Sequence, residues 1–211
     1  MSSLFSADLE TIVRRLRRTL APLSGAVPVG APGGQRIAAV LAPVYLRDGR
    51  PHMLFTRRAA TLNAHRGEIS FPGGSYEPTD GALEHTALRE AEEEIGLAPE
   101  RVALLGTLEP VVTVVSNFTI VPFVGLLPSG PGLLRLNPEE VAEVIEAPLA
   151  DLADPAIFHA EEWVRAGQPH TVYFFDYGPN RIWGATARML VALLELLRRD
   201  APLEDKEHGT G

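Results

Sequence analysis

Apolar residues recur along this chain with two different periods, and the changes between them divide it into elements. Leu9, Ile12, Val13, Leu16 and Leu20 lie three or four residues apart, as on one helix face, with Asp8 placed to cap the helix or sit in its first turn. A Gly/Pro-rich linker, 24–35, follows. Residues 36–47 (RIAAVLAPVYLR) read as a largely buried strand, and Asp48-Gly49-Arg50 turns it into a second strand over His52–Thr56. Arg101–Thr107, Val111–Val115 and Phe118–Leu127 read as further strands, with Pro122 marking an edge or a bulge in the last. Residues 128–138 form a Pro/Gly loop, and Leu149–Leu152 a turn or short helix. Trp163–Val164 and Thr171–Phe175 form a hairpin, and residues 180–199 begin with a turn and continue as an amphipathic helix. The tail from Asp200 is polar and frays. Strands combined with a central and a late helix predict an α/β fold, a mixed sheet with helices on both faces.

Composition narrows the functional classes. At 211 residues the chain suits one domain with a few added elements, and 45% hydrophobic residues suffice for a core. A formal charge of −8 argues against nucleic acid as a partner, since phosphate neutralisation needs excess cations. The absence of cysteine excludes disulfides, thiolate zinc sites and cysteine nucleophiles. The N-terminal MSSLFSADLE lacks the form of a secretory signal, and no apolar run would span a membrane, so a soluble, cytoplasmic protein is expected.

Residues 71–97 (FPGGSYEPTDGALEHTALREAEEEIGL) concentrate the chemistry. Ala87, Leu88, Ala91 and Ile95 give a helix an apolar stripe, and Gly96 ends it. Glu90, Glu93 and Glu94 project from one side of that helix, where like charges repel. They also occupy its C-terminal half, where the helix dipole disfavours anions. A solvated acidic face would tolerate this; a hard divalent cation bound by carboxylate oxygens would offset it. The Pro-Gly-Gly turn lets backbone approach a ligand closely. Upstream, Arg57, Arg58, His65 and Arg66 could meet phosphate groups, for which the guanidinium fork is well suited. Arg14, Arg15, Arg17 and Arg18 form either a solvated helix face or part of an anion site.

This stretch resembles the Nudix box, the signature of hydrolases that cleave a nucleoside diphosphate linked to another group. Gly74, Arg89, Glu90, Ala91, Glu93, Glu94, Gly96 and Leu97 match the pattern. Asp80 stands where the pattern has its first Glu, and eight residues rather than seven separate it from Arg89. The preceding Leu54, Thr56, Arg58, Leu62, Gly67, Glu68, Phe71, Pro72, Gly73 and Gly74 resemble the extra signature of the coenzyme A pyrophosphatase branch, as does, more weakly, the run Ile182, Trp183, Gly184, Thr186, Ala187. The resemblance implies an α/β/α sandwich from about 36 to 197 and hydrolysis of coenzyme A or its derivatives to 3′,5′-ADP and 4′-phosphopantetheine. It implies Mg²⁺ or Mn²⁺ held by Glu90, Glu93 and Glu94. One of these glutamates, or a downstream one such as Glu140, would be the base. Arg89 would orient the acids from behind. Arg57, Arg58, His65, Arg66, Gly67, Gly73 and Gly74 would contact substrate, although Gly67-Glu68 also reads as a simple turn. Trp183 reads as core rather than as a stacking surface. A homodimer is compatible with the family. The alternatives are another nucleoside diphosphate-linked substrate (a nucleotide sugar, a dinucleotide or a nucleoside triphosphate) and a Nudix module that binds nucleotide without cleaving it.

Overall fold

The computed structural model describes residues 8–23, 34–60, 66–113, 116–165 and 167–199. Expectations for the linker at 24–33, for Leu62 and His65, for Val114 and Val115, and for the tail from Asp200 fall outside these residues.

Helix α1 (Leu9–Thr19) starts where expected, with the Asp8 carboxylate accepting from the Thr11 amide at 2.8 Å. Strands β1 (Arg36–Arg47) and β2 (Arg50–Arg58) form a hairpin, followed by the short strands β3 (Ile69–Ser70) and β4 (Gly73–Ser75). Helix α2 (Leu83–Ile95) ends at Gly96 in the left-handed conformation, φ 69°. Then come β5 (Ala103–Thr107), β6 (Val111–Thr113), β7 (Phe118–Leu127), β8 (Val141–Pro148) and the one-turn helix α3 (Leu149–Leu152). Strands β9 (Phe158–Arg165), β10 (Gln168–Tyr177) and β11 (Asn180–Trp183) lead into α4 (Gly184–Arg199).

Strands β1 to β8 make one mixed sheet, parallel between β1 and β7 and otherwise antiparallel. Strands β1 and β2 pair only near their turn, through residues 44–47 and 50–53. Beyond that they part, and β3 takes the vacated edge of β2 while β4 takes that of β1. The Pro-Gly-Gly turn is thereby wedged into the middle of the sheet, with the Leu41 amide bonded to the Pro72 carbonyl at 2.8 Å. Of the two readings of Pro122, the edge does not hold, since β7 is an inner strand, and the irregularity in its ladder falls on β5, between Leu104 and Gly106. Strand β7 lies between β1 and the pair β5 and β6, and Pro122, which has no N–H, faces the gap between those two short strands, where its carbonyl accepts from Leu108 at 3.0 Å. Among the strands the sequence reading does not anticipate, β8 lies in a stretch to which it assigns no element, and β4 and β11 lie in stretches that it reads as turns.

Alternation along β1 serves two cores. Ala39, Leu41 and Tyr45 pack with Leu83, Ala87, Ala91 and Ile95 of α2. Val40, Ala42 and Val44 face the other way, in a core shared with Ile12 and Leu16 of α1 and Leu190, Leu193 and Leu194 of α4. Helices therefore cover both faces, the expected α/β/α order, and the three-stranded sheet β9–β11 adds Phe175 and Ile182 to the second core.

Candidate active site

Arg89 sits at the centre of the charged stretch and holds three acids. Its Nε donates to Asp80 at 2.7 Å, its Nη1 to Glu93 at 2.8 Å, and its Nη2 lies 3.0 Å from Glu90 and 3.2 Å from the Ser75 carbonyl. Asp80 also accepts from Thr86 Oγ1 at 2.7 Å and from the Glu77 amide at 3.0 Å. The Arg89 hydrogen bond holds the Asp80 carboxyl down at about 2, against the opposing effect of burial. The first acidic position of the box thus anchors the arginine that orients the others.

Helix α2 directs Glu90 and Glu94 towards the wedged turn. Glu94 is 2% exposed and accepts from the Gly73 amide at 3.2 Å. Burial pushes its carboxyl up to about 8; Arg58, at 3.8 Å, and the Gly73 amide pull it down, while Glu90 and Glu140 push it further up. Glu90 is raised as well, again mainly by burial. Gly74 leaves room for the Glu90 carboxylate in this position, since a Cβ there would stand 2.6 Å from Glu90 Oε2.

Glu140 arrives from the loop before β8. That loop is tied to the end of α2 through its backbone, Arg135 N to Ile95 O and Asn137 N to Glu94 O, both at 2.9 Å. Asn137 Nδ2 reaches Glu140 at 3.3 Å. One carboxylate oxygen from each of Glu90, Glu94 and Glu140 lies within 4.8 Å of the other two. Three hard oxygen donors, two of them with their neutral forms favoured by burial and mutual repulsion, suit Mg²⁺ or Mn²⁺. Glu93 stands apart from this group, about half exposed and held by Arg89.

A cleft of about 460 Å³ opens over the turn. Arg58, Glu68, Phe71, Gly73 and Gly74 line it near the carboxylates, and Trp183 and Arg188 line it further along. Arg58 Nε is buried without a hydrogen-bond partner among the described residues. Its neighbour Arg57 is absent from the lining and is consumed in packing: it bonds Glu143 at 2.6 Å, the Gly67 carbonyl at 3.2 Å and the Asn180 side chain. Gly67 makes a tight turn at φ 68°, and neither it nor Arg66 lines the cleft. The α1 arginines are also absent from its lining; Arg15 bonds the Leu197 carbonyl of α4 instead. Trp183, read as core, is half-buried at the cleft wall; the run from Ile182 to Ala187 was its only signal, and Arg188 had none.

The family model described as NUDIX domain matches residues 35–167. The chain belongs to the Nudix family. A protein from Photorhabdus laumondii subsp. laumondii described as "Uncharacterized Nudix hydrolase NudL" is 40% identical over 189 residues, 89% of this chain and 97% of that one. A protein of the same description from Cronobacter sakazakii is 42% identical over 157 residues, 74% and 80% of the two chains. Among solved structures, a MutT/nudix family protein from Enterococcus faecalis shares the fold at a TM-score of 0.51 and 13% identity, covering 92% of this chain and 69% of that one. The Nudix hydrolase described here thus carries its box on α2 and on the turn wedged between β1 and β2. Among its described residues, no helix is long and apolar enough to cross a membrane.

Proposed function

We propose that this Nudix hydrolase cleaves the diphosphate of coenzyme A and its derivatives, releasing 3′,5′-ADP and 4′-phosphopantetheine. One observation carries the reading: Arg58, Glu68 and Phe71, which belong to the signature upstream of the box, share one cleft with Gly73 and Gly74, beside the carboxylates. Glu90, Glu94 and Glu140 are the residues to hold Mg²⁺ or Mn²⁺. The ion, when bound, supplies charge neutralisation of the diphosphate and a lowered pKa for water. The water oxygen forms a bond to one phosphorus while the bridging oxygen leaves with the electron pair of the broken P–O bond. A carboxylate of the acidic group accepts the water proton. Arg58, which lines the cleft with its guanidinium 3.8 Å from Glu94, is the cation placed to meet the incoming phosphates. Arg89 keeps Glu90 and Glu93 oriented and touches no substrate.

Product analysis tests this. Purified protein with Mg²⁺ or Mn²⁺ is offered coenzyme A beside ADP-ribose, a dinucleotide and a nucleoside triphosphate. The expected result is 3',5'-ADP from coenzyme A. Cleavage of another substrate instead removes the coenzyme A assignment and keeps the hydrolase. Nucleotide binding without any cleavage turns the chain into a binding module.

A further inference from the structure

The cleft continues past the glycine turn to a far end that the hydrolytic chemistry does not use. There β11 runs into α4 and contributes Trp183, Gly184, Ala185 and Arg188. The indole is fixed in an aromatic column: the Phe174 ring lies parallel to it, 6° between planes and 6.3 Å between centroids, and His159 stacks on Phe174 at 4.8 Å. Trp163 braces it from the side at 6.1 Å. The indole is half-buried in the cleft wall, and the adjoining Gly184 borders open space, where a Cβ would meet no atom within 4 Å. Arg188 is three residues from Ala185 and so projects from the same side of α4. Its side chain is exposed and makes no hydrogen bond or ion pair among the described residues. Only two cations appear in the described lining, and Arg58 stands at the carboxylate end, 3.8 Å from Glu94. Arg188 is therefore the cation of the far end, in a chain whose formal charge is −8.

We propose that this far end is a nucleoside-phosphate subsite, in which a purine stacks on Trp183 and the Arg188 guanidinium pairs with a phosphomonoester on the ribose, separate from the diphosphate at the carboxylates. Aromatic rings bind bases through their π faces, and a guanidinium binds phosphate through a fixed fork of donors. The inference rests on the coenzyme A reading, because the 3′-phosphate of coenzyme A is such a group.

Calorimetric titration of the full chain with Mg²⁺ present, using adenosine 3′,5′-bisphosphate and 5′-AMP, tests it without requiring turnover. Wild type binds the bisphosphate about tenfold or more tightly than 5′-AMP, the range of one charge-assisted hydrogen bond. Arg188→Gln erases that preference by weakening the bisphosphate alone, and Arg188→Lys keeps part of it. Trp183→Ala weakens both nucleotides, and Trp183→Phe recovers most of the loss. Equal binding of the two nucleotides by wild type, equal weakening of both by Arg188→Gln, or unchanged binding by Trp183→Ala overturns the subsite. Discrimination without coenzyme A turnover keeps the subsite and removes the proposed reaction; turnover without discrimination does the reverse.

Discussion

Gly73 and Gly74 are adjacent and line the same turn, yet a methyl group does different damage at each. On Gly73 it would stand 2.6 Å from Val40 Cα, in the backbone of β1, which cannot move aside. Gly73→Ala is expected to destabilise the fold by about 1–3 kcal/mol, measured by urea denaturation. On Gly74 it meets the end of the Glu90 side chain, which can rotate away. Gly74→Ala is expected to cost little stability but, on the proposed function, to weaken Mn²⁺ binding and turnover about 10- to 100-fold, since Glu90 would lose the orientation in which it could hold the ion. Asp80 gives a third residue-scale test. Its carboxyl lies at about 2 in the fold against an ordinary 3.8, so its contribution is complete above about pH 4 and lost as pH falls from there towards 2. Asp80→Asn removes one of several Arg89 partners, Glu90 and Glu93 remaining, and should cost about 1–3 kcal/mol at pH 7. The variant's stability should also vary less than wild type's between pH 4 and 2, as followed by denaturation at a series of pH values.

At the scale of elements, α4 closes the second core. Leu193, 1% exposed, lies in its centre, and Leu193→Ala is expected to lower stability by about 2–5 kcal/mol in chemical denaturation. Helices α1, α2 and α4 were legible because each carries an apolar stripe at its own period, and Gly96 marks the end of α2. The long strands β1 and β7 were legible as unbroken apolar runs. Strand β8 was not, because its buried positions Val141, Ile145 and Ala147 are interleaved with acids. Those acids have partners only in the fold: Glu143 with Arg57, and Glu146 with Arg47 at 2.7 Å and with Tyr45. The same limit applies to the site. Spacing placed Glu90, Glu93 and Glu94 on one side of a helix, but in the fold Glu93 stays about half exposed beside Arg89, and the meeting of Glu140 with Glu90 and Glu94 depends on a loop folded back over α2.

Over the whole molecule, acids gathered at one site couple stability to metal and pH. The Glu94 carboxyl is raised to about 8, so the metal-free native state holds its proton more tightly than the unfolded chain does. The stability this lends is complete below the ordinary value of 4.5 and falls away as pH rises through about 8. Metal binding requires the deprotonated acids, so its gain runs the other way. Thermal denaturation should show Mg²⁺ or Mn²⁺ raising Tm more at pH 8 than at pH 6, and Glu94→Gln should remove most of that difference. The two peptide hydrogen bonds from Arg135 and Asn137 to the end of α2 carry a further consequence. They fix the approach of Glu140 through main-chain atoms, whatever side chains the loop bears. For a protein engineer the loop therefore has two parts of unequal tolerance. Extra residues between 128 and 132 leave the docked segment where it is. A single deletion between 137 and 140 is expected to withdraw Glu140 from the acidic group and to abolish turnover, because Glu140 is held on its other side too, its carbonyl accepting from the Ala59 amide at 2.8 Å.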